Sequence, residues 1–466
     1  MVAFGTGGFR GIIGDQFTKE TIQQVGQGLA QIISADKVDD IPVVIGYDRR
    51  FLSKEAGYWL AEILLANDIP VAFIPYSCPT PLVMYTVKQK KLAFGCMITA
   101  SHNPAIYNGV KLFTKGGRDA DKNFTDRLEK VCRTISKEEV ALKISSKPDK
   151  LAIEEWDLFD DYLDEILKRI DTETIRKAHL KIAFDPMYGV ATTALQTILL
   201  ISRCKVDIIN ERHDTLFGGK LPSPDAQAIR ELQLMVEEKD YDLGLATDGD
   251  ADRLGVVDAD GRFVDSNQIL TLVYYYFLEY RGWTGNVVRN LSTTTMVDRI
   301  AADYGFQSYE VPVGFKFVTE AMDQYDAILG GESSGGLTVK GYLKGKDSVF
   351  AAALLVEMVA YTGKTIKELV DEIQAKYGKL YSTSMDISLT PSQKTELEGK
   401  LSDSSRWQLL EARKVTTVDG VKIWFDEGWC LARLSGTEPL VRITAESEKK
   451  EQAEDYIQLV KNQLER

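Results

Sequence analysis

The sequence predicts an α/β protein with mixed, mainly parallel sheets covered by helices, followed by a smaller α+β domain. The first supporting observation is that short apolar runs alternate with helical patterns in three successive blocks. The second is that the pattern changes from Leu380 onward, where strand-like runs follow one another before a final helix. The third is the length of 466 residues, which exceeds a single hydrophobic core and predicts about three or four domains.

Each block contains an apolar strand followed by a predicted helix. The run IPVVIGYD precedes a helix opened by Ser53, HLKIAFDPMYG precedes one from about Val190, and GNVVRNLS precedes one near Thr294. This order is typical of parallel strands joined by helices. Strand endings in aspartate recur at IGYD, IAFD and LATD, which suggests that the blocks are related.

Two segments separate the blocks. The polar, proline-containing stretch SSKPDK, residues 145–150, ends the first block. Asp-Gly in the run DADGRFVD predicts a hairpin turn at the second boundary. Between these segments, apolar residues recur at helical spacing and predict one amphipathic helix packed between domains. They are Ile153, Trp156, Phe159, Tyr162, Leu163, Ile166 and Ile170.

Composition and charge exclude several classes of function. A hydrophobic content of 44% with 27% charged residues is typical of a globular protein. The formal net charge of −13 argues against a nucleic-acid partner or an anionic membrane, because both need a basic face. An anionic substrate would therefore need a locally positive pocket.

The cysteines and the start of the chain indicate a cellular location. The five cysteines are scattered, with no CxxC pair and an odd count, so neither a disulfide framework nor a zinc cluster is indicated. The start MVAFGTGGFRG shows no charged region followed by an apolar stretch, and the apolar runs are too short to span a bilayer. We therefore expect a cytoplasmic protein.

The segment TASHNPAIYNGVKLF, residues 99–113, places polar groups at the exit of a buried strand. The preceding run LAFGCMI is short and apolar, so it predicts a strand that ends at Thr99. Ser101 then lies on the loop that follows the strand. Ligands of open α/β sheets bind outside the carboxyl ends of the strands, so this loop is a candidate functional loop.

The segment TDGDADR after the strand DLGLA carries alternating carboxylates. Asp248, Asp250 and Asp252 are two residues apart, so their oxygens could converge on a hard divalent cation. An EF-hand would need Gly where Arg253 stands and Glu where Ala259 stands, so that motif is excluded. The alternative interpretation is a solvated acidic turn.

Two further loops offer ligand-binding groups. In GGESSGG, the glycines allow close approach of a ligand, while Glu332 and Ser334 could hydrogen-bond sugar hydroxyls. A plain glycine-rich turn is the alternative there. In RLSGTEPLVR, the two arginines could bind a phosphate, with hydroxyl and backbone donors completing the cradle. The candidate residues of this loop are Arg433, Ser435, Gly436, Thr437 and Arg442.

The motifs TASHNP, DGDADR, GESSGG and RLSGTEP together resemble the α-D-phosphohexomutase superfamily, the phosphoglucomutases and phosphomannomutases. They occur in the family's order and approximate spacing, and the resemblance spans the chain from GTGGFRG to the last domain. It implies three related α/β domains and a C-terminal α+β domain around a central cleft. The expected domains are residues 1–148 with the phosphoserine loop, 149–258 with the metal loop, 259–376 with the sugar-binding loop, and 377–466 with the phosphate-binding loop.

The resemblance implies roles for the first two loops. Ser101 would carry the phosphoryl group, His102 would shape its loop, and Lys111 would neutralise the phosphate or assist proton transfer. Arg10, in GGFRG, would face the transferring phosphate. The implied metal is Mg²⁺, bound by the phosphoryl oxygen on Ser101 and by Asp248, Asp250 and Asp252. Arg253 ends the metal loop and would orient that loop, and it is also a candidate substrate-binding residue.

The resemblance also implies a reaction. Phosphoserine would give its phosphoryl to a hexose 1-phosphate, and a bound 1,6-bisphosphate would return the other phosphate and leave the 6-phosphate. Glucose 1,6-bisphosphate would be the intermediate or activator. We expect glucose as the favoured sugar and mannose as a second, with phosphomannomutase or phosphoglucosamine mutase as alternatives. The expected partners are small-molecule sugar phosphates, and the protein is expected to be a monomer or a homodimer. A metal-dependent sugar phosphatase is the non-mutase alternative.

Three departures from the family pattern leave assignments open. Some bacterial members carry a histidine where this chain has Gly336, and another in the third-domain loop, where PVGFKF offers Lys316 for substrate binding instead. The start GTGGFRG differs from the GTDGIRG of phosphoglucosamine mutases, which disfavours the amino sugar. Either Arg49 or Arg50 could face the cleft.

Overall fold

The computed structural model describes residues 4–5, 8–136, 138–140, 143, 153–408, 412–436 and 439–465. The predicted linker at residues 145–150, and with it the predicted boundary between residues 148 and 149, lies outside the described residues. The chain forms two compact units. The first consists of Met1–Ile269 with Ser334–Lys367, and the second of Leu270–Ser333 with Glu368–Arg466.

The first sheet holds eight strands in the order β1-β2-β6-β5-β3-β4-β8, with β7 paired to β6. The strands are β1 (Phe4–Gly5), β2 (Gly8–Ile12), β3 (Val43–Tyr47), β4 (Val71–Phe73), β5 (Phe94–Ile98), β6 (Tyr107–Thr114), β7 (Arg118–Asp119) and β8 (Glu154–Glu155). The helices of this block are α1 (Lys19–Ala35), α2 (Ser53–Ala66), α3 (Thr80–Gln89) and α4 (Lys122–Thr134). Parallel pairs join β5, β3, β4 and β8 in turn, whereas β1, β2, β6 and β7 make antiparallel pairs. The mixed character is confirmed, with a larger antiparallel share than the βα rhythm indicated.

Local sequence explains the central elements of this sheet. Every residue of β3 and β5 is buried, as expected for continuous apolar runs covered on both faces. Helix α1 begins where the side chain of Thr18 accepts a hydrogen bond from the Thr21 N–H. A Cβ at Gly26 would lie 2.3 Å from Ile63, so this glycine allows α1 and α2 to pack closely.

The second sheet has the order β10-β9-β11-β12-β13. Its strands are β9 (Lys181–Asp185), β10 (Lys205–Ile208), β11 (Leu243–Thr247), β12 (Leu254–Asp258) and β13 (Phe263–Val264). The accompanying helices are α5 (Phe159–Leu167), α6 (Thr172–Ala178), α7 (Thr192–Ile201) and α8 (Arg230–Glu238), with a 3₁₀ turn at Phe217–Gly219. Strands β12 and β13 pair antiparallel around Gly261, whose φ is +79°, which confirms the predicted Asp-Gly hairpin.

The prediction of one helix from Ile153 to Ile170 is wrong in its first half. Residues Glu154–Glu155 form β8, and the Trp156 N–H donates to the Phe73 carbonyl at 3.0 Å, so this segment extends the first sheet. The helix begins only at Phe159, after the Asp157 side chain accepts from the Phe159 N–H at 3.0 Å. Pairing with the exposed edge of β4 therefore outweighs the helical spacing of the apolar residues.

The third block contains β14 (Val287–Asn290), β15 (Ser308–Val311), β16 (Leu329–Gly331) and β17 (Leu337–Val339). Strand β14 pairs in parallel with both β15 and β16. The helices are α9 (Ser266–Tyr275), continued by a π-helical turn at Tyr276–Tyr280, α10 (Met296–Asp303), α11 (Phe315–Gln324), α12 (Ser348–Thr362) and α13 (Ile366–Tyr377). Among the residues described, no single helix is long and apolar enough to cross a membrane, and α12 and α13 pass that test only as a pair bent by 77°.

The fourth sheet is antiparallel throughout, in the order β18-β22-β21-β20-β19. Its strands are β18 (Tyr381–Ser388), β19 (Lys414–Thr416), β20 (Val421–Phe425), β21 (Gly428–Leu434) and β22 (Leu440–Ser447). The helices α14 (Pro391–Ser402), α15 (Ser404–Gln408) and α16 (Lys450–Glu465) complete the block. Trp407, Ile423, Ile443 and Val460 lie in its core. The predicted α+β domain is confirmed.

In each of the first three sheets, a strand pairs in parallel with both of its neighbours, and the residue at its end has the same local role. Asp48 after β3 accepts from the Arg50 N–H at 2.9 Å, and Asp185 of β9 accepts from the Met187 N–H at 2.7 Å. Asn290 of β14 accepts from the Ser292 N–H at 3.1 Å. The repeated position is therefore IGYD, IAFD and VVRN. The third predicted repeat, LATD, ends a strand with an antiparallel neighbour, β12.

Buried charges join the third and fourth sheets within the second unit. The Lys422 Nζ of β20 donates to the Leu291 carbonyl at 2.7 Å and to Glu310 Oε2 at 2.5 Å. Its ammonium also lies 4.1 Å from the centre of the Trp429 ring. Arg289 pairs with the same Glu310 carboxylate at 2.5 Å. Arg289 also pairs with Asp298 at 2.6 Å, so the buried cluster holds two cations and two carboxylates, and Lys422 shares its one carboxylate partner with Arg289.

Replacing Lys422 with methionine should change how stability depends on pH. Burial and then Arg289 lower the pKa of Lys422 to about 8 from 10.5. Between pH 8 and pH 10.5 the unfolded chain binds more protons than the folded chain. The free-energy cost of burying the charged Lys422 is fully present below about pH 8 and decreases as the pH rises. The free energy of unfolding, from urea titrations at about pH 7.5 and about pH 9.5, should therefore rise more in the wild type than in Lys422→Met. The exposed Lys449→Met control should keep the wild-type slope, and an equal slope in Lys422→Met would contradict the assignment.

Candidate active site

Ser101 is held in an unusual conformation at the exit of β5. Its φ is +52°, in the left-handed region, and its N–H donates to Thr99 Oγ1 at 2.8 Å. The Ser101 Oγ donates to Asp248 Oδ2 at 2.9 Å. The side chain is buried. The loop therefore presents one hydroxyl directly to the aspartate motif, and non-glycine residues with positive φ are frequent at functional sites.

Arg50 supports this loop from behind. Its NH2 group donates to the carbonyls of Ser101 at 2.6 Å and Asn103 at 2.7 Å. Its NH1 group donates to the carbonyls of Pro104 at 2.9 Å and Tyr107 at 3.1 Å. A planar guanidinium is suited to such a fan of acceptors. Arg50 therefore fixes the course of the loop from Ser101 to Tyr107.

The neighbouring Arg49 has a different position. The structure therefore distinguishes the two arginines, which the sequence alone could not. Its NH1 group donates to the Glu211 carbonyl at 2.8 Å. Arg50 is buried and pairs with Asp48 at 3.3 Å, and its guanidinium lies 4.8 Å from the centre of the Phe217 ring. Arg50 thus belongs to the support of the serine loop.

The three aspartates of the DGDADR motif converge. Carboxylate oxygens of Asp248, Asp250 and Asp252 lie within 4.8 Å of one another. Asp248 Oδ1 accepts from the backbone N–H groups of Asp252 at 2.9 Å and Arg253 at 3.1 Å. Asp250 Oδ1 and Asp252 Oδ1 are buried without a hydrogen-bond partner among the described residues. A buried polar atom without a partner is costly, and such oxygens suit a hard divalent cation.

Electrostatics at the cluster point the same way. Burial, followed by repulsion from Asp250 and Asp252, raises the pKa of Asp248. Lys111, on β6, lies between two of the carboxylates, with its Nζ 2.6 Å from Asp250 Oδ2 and 2.7 Å from Asp252 Oδ2. Burial opposes the charged form of Asp252, yet Lys111 and other cations hold its pKa below the usual range. The site therefore balances three carboxylates with cations from other elements.

The remaining first-unit candidates surround Ser101. Arg10, on β2, donates from NH1 to Asn103 Oδ1 at 2.7 Å. The His102 Nδ1 lies 3.4 Å from Ser101 Oγ. Burial, then the charges of Arg253 and Arg10, lower the pKa of His102 to about 2. Its imidazole is therefore neutral near pH 7, and the positive charge beside Ser101 comes from the arginines and Lys111.

Lys346 is a group that the sequence motifs did not indicate. A Cβ at Gly336 would lie 2.4 Å from Lys346 Cδ, so the lysine chain lies over the position where some family members carry a histidine. The charge of Lys346 also contributes to the low pKa of Asp252. The lysine-rich run KGYLKGKD could have indicated a positively charged loop. Its contact with the aspartates could not be predicted, because Lys346 lies 94 positions after Asp252.

In the second unit, the Glu332 side chain is fixed by hydrogen bonds from other residues. Its side chain is buried, and its Oε1 accepts from Asn290 Nδ2 at 3.1 Å and from the Gly314 N–H at 2.9 Å. Ser333, which was not predicted as a site residue, lies with its Oγ 2.8 Å from Ser292 Oγ. Ser334 is exposed and belongs to the first unit. The predicted pair Glu332 and Ser334 is thus divided between the units.

The predicted phosphate loop joins β21 and β22, and its two arginines are register partners. Arg433 Nε donates to Asp419 Oδ2 at 2.8 Å. Arg442 forms a bidentate pair with Asp386 at 2.7 Å and 2.6 Å. Both guanidinium groups therefore have a carboxylate partner.

Four other predicted site residues belong to the second unit, namely Ser435, Gly436, Thr437 and Lys316. The Ser435 N–H donates to the Leu440 carbonyl at 2.9 Å across the loop that contains Gly436. Lys316, at the start of α11, lies with Nζ 4.7 Å from the centre of the Phe317 ring. Thr437 lies outside the described residues. The loop backbone between Ser435 and Leu440 is thus closed by a hydrogen bond next to Arg433.

Models of four domains match this chain in order. The three described as phosphoglucomutase/phosphomannomutase alpha/beta/alpha domains I, II and III match residues 1–139, 160–261 and 265–377. The phosphoglucomutase/phosphomannomutase C-terminal domain matches residues 396–463. Together these matches span most of the chain.

Individual proteins are similar over nearly the whole length. A phosphoglucomutase/phosphomannomutase of Thermococcus kodakarensis is 29% identical and covers 98% of this chain and 97% of its own. A probable phosphoglucosamine mutase of Methanocella arvoryzae is 31% identical, with 96% and 94% covered. A crystal structure from Thermus thermophilus, described as a phosphomannomutase, has a TM-score of 0.85 at 28% identity and covers 100% of this chain and 99% of its own.

Arg50→Lys should loosen the serine loop without removing the charge that faces Asp48. An ammonium cannot reach four carbonyls in a plane, so the segment from Ser101 to Tyr107 should open more often. Hydrogen exchange of a peptide that covers residues 101–107 should become faster by about ten-fold. Arg49→Lys is the matched control and should leave exchange in this peptide at the wild-type rate. Equal exchange in the two variants would show that Arg50 does not support the loop.

Proposed function

The chain belongs to the phosphoglucomutase/phosphomannomutase family, and we propose that it interconverts hexose 1-phosphates and hexose 6-phosphates through phosphorylated Ser101. Proteins of this family are mutases, which are isomerases by reaction class. The observation that carries the proposal is the contact of 2.9 Å between Ser101 Oγ and Asp248 Oδ2. It joins a buried hydroxyl to a cluster of carboxylates surrounded by cations.

In the proposed reaction the phosphoryl group is transferred twice. In the first transfer the bond between Ser101 Oγ and phosphorus breaks, the free 6-hydroxyl of a hexose 1-phosphate forms the new bond, and its proton ends on Ser101 Oγ. In the second, the bond between the sugar O1 and phosphorus breaks, that phosphoryl group bonds to Ser101 Oγ, and the serine proton ends on O1 as hexose 6-phosphate leaves. The positive φ of Ser101 and the Arg50 bonds keep Oγ in one position for both transfers. Water takes part in neither transfer, so the site must keep water away from the phosphoryl group.

Positive side chains would balance the charge of the transferring group. Three cations near Ser101 come from different parts of the fold, namely Arg10, Lys111 and Arg253. Their charges would balance the roughly two negative charges of a phosphoryl ester. A Mg²⁺ ion, held by Asp248, Asp250, Asp252 and a phosphoryl oxygen on Ser101, would supply Lewis-acid stabilisation of the same charge. The unpartnered oxygens Asp250 Oδ1 and Asp252 Oδ1 support this ligand set.

The second unit would bind the part of the substrate that does not react. We assign the sugar hydroxyls to Glu332, with Ser334 and Lys316 as further contacts. We assign the distant phosphate to Arg433, Ser435, Gly436, Thr437 and Arg442. The fixed carboxylate of Glu332 supports the first assignment, since a sugar read in two orientations needs an acceptor that does not move.

Glucose remains the sugar that we favour, with mannose second. The relatives' names keep glucosamine as a third candidate, because the protein of Methanocella arvoryzae, at 31% identity, is described as a probable phosphoglucosamine mutase. The run GTGGFRG at the start argues against the amino sugar. A coupled assay with the 1-phosphates of glucose, mannose and glucosamine, with inorganic phosphate measured in parallel, separates these sugars. Release of inorganic phosphate instead of the 6-phosphate would identify the phosphatase alternative.

Ser101→Ala should abolish turnover by about three orders of magnitude or more while the fold remains, because no other group accepts the phosphoryl. The measurement is the coupled assay together with the intact mass, in which wild-type protein should carry about 80 Da more than its sequence mass from one phosphoryl group. The exposed Ser402→Ala is the control and should keep both activity and the added mass. Substantial activity in Ser101→Ala would remove this serine from the reaction.

Glu332→Ala should separate sugar binding from phosphoryl storage. A hydrogen bond to a charged acceptor contributes about 1.5 to 3 kcal/mol, so kcat/KM should fall by about ten- to a hundred-fold. The phosphorylated fraction of Ser101, measured by mass, should stay at the wild-type value. The exposed Glu320→Ala on α11 serves as the control. Unchanged kinetics in Glu332→Ala would exclude the sugar-binding role.

A further inference from the structure

The turn after β15 binds two carboxylates through successive backbone donors. The Val313 N–H donates to Asp419 Oδ2 at 2.9 Å. The next N–H, of Gly314, donates to Glu332 Oε1 at 2.9 Å. Asp419 belongs to the turn between β19 and β20 of the fourth sheet, whereas Glu332 follows β16 of the third. One turn thus touches both sheets of the second unit.

Each carboxylate has a further partner. Asp419 Oδ2 also accepts from Arg433 Nε at 2.8 Å, and both side chains of this pair are about a quarter exposed, at 24% each. Glu332 Oε1 also accepts from Asn290 Nδ2 at 3.1 Å. A continuous line of contacts therefore joins the arginine of the phosphate loop to the glutamate of the sugar loop. Its members in order are Arg433, Asp419, Val313, Gly314, Glu332 and Asn290.

The backbone conformation of Gly314 is necessary for this arrangement. Its φ is +138°, which L side chains rarely adopt. Steric crowding does not explain why this residue is a glycine, because a Cβ there would contact only the Phe317 ring, at 3.4 Å and beyond. The glycine is therefore required for the direction of the peptide groups, which aim two adjacent N–H donors at two separate acceptors.

We propose that the Val313–Gly314 turn is a positioning element that sets the distance between Glu332 and Arg433, with Asp419 and Gly314 as its positioning residues. This inference rests on the proposed function. The substrate binds in two orientations. In both, it must contact Glu332 through its hydroxyls and Arg433 through its phosphate, so these two side chains need one fixed separation. Hydrogen bonds from both to a single turn provide that separation, and neither Asp419 nor Gly314 needs to touch the substrate.

Two pairs of variants test the turn. Gly314→Ala is matched by Gly305→Ala, a glycine of φ +78° with open space around its Cβ position. Asp419→Asn is matched by Asp426→Asn, whose side chain is 89% exposed. We expect kcat/KM for glucose 1-phosphate to fall by about ten-fold in Gly314→Ala and Asp419→Asn. Calorimetry with inorganic phosphate should show weaker binding in Asp419→Asn, because Arg433 loses its orienting partner.

The double variant Gly314→Ala, Asp419→Asn distinguishes positioning from two separate defects. If both residues act through one turn, the double variant should lose about as much activity as the worse single variant. The phosphorylated fraction of Ser101 should stay at the wild-type value in all variants, which a general loss of folding would not allow. Asp419→Glu, which keeps the carboxylate, should recover part of the phosphate affinity.

Several outcomes would overturn the inference. Single variants that match their controls would do so, and so would losses that multiply to about a hundred-fold in the double variant. Stronger binding of phosphate in Asp419→Asn would show that Asp419 competes with the ligand for Arg433. A wild type inactive on all three hexose 1-phosphates would overturn the proposed function and the inference together, whereas active wild type with control-like variants would overturn the inference alone.

Discussion

Repulsion between three clustered carboxylates, two of them fully buried, is the constraint on which the first unit depends. Oxygens of Asp248, Asp250 and Asp252 lie within 4.8 Å, where like charges out of water strongly disfavour one another. The compensating cations cannot come from the motif alone. Lys111 comes from β6, and the hydroxyl that meets Asp248 follows β5. The serine loop and the aspartate loop are thus drawn together by charge as well as by the packing of two sheets.

The recurring residue at the end of a strand with two parallel neighbours shows how one local arrangement supports different loops. Asp48 orients Arg50, which in turn holds four carbonyls of the serine loop. In the third block the same position is Asn290, whose Nδ2 donates to Glu332. A carboxylate there could not donate and would repel Glu332. The change from aspartate to asparagine therefore follows from the charge of the group that each residue holds.

The sequence predicted the elements with strong local signals and missed interactions that depend on tertiary packing. The strands at IPVVIGYD and LAFGCMI, the hairpin at DADGRFVD and the antiparallel last sheet were correct. The helix from Ile153 failed because the free edge of β4 paired with Glu154–Glu155. Adjacent arginines carry identical local signals, so only the fold separates Arg49 from Arg50. Asp419 and Asn290 were likewise invisible, since their partners lie far away in the chain.

The cations of the two units are balanced in different ways, and this difference fits different tasks. In the first unit, Arg10, Lys111 and Arg253 act on a shared set of aspartates and on Ser101, so their field is concentrated where a phosphoryl group would be transferred. In the second unit, Arg433 and Arg442 each have a carboxylate of their own. Pairing with a carboxylate fixes the direction of each guanidinium, so a phosphate there would meet donors that are already oriented. In the proposed reaction the distant phosphate is bound in both orientations of the sugar, so a fixed geometry is what that anchor requires.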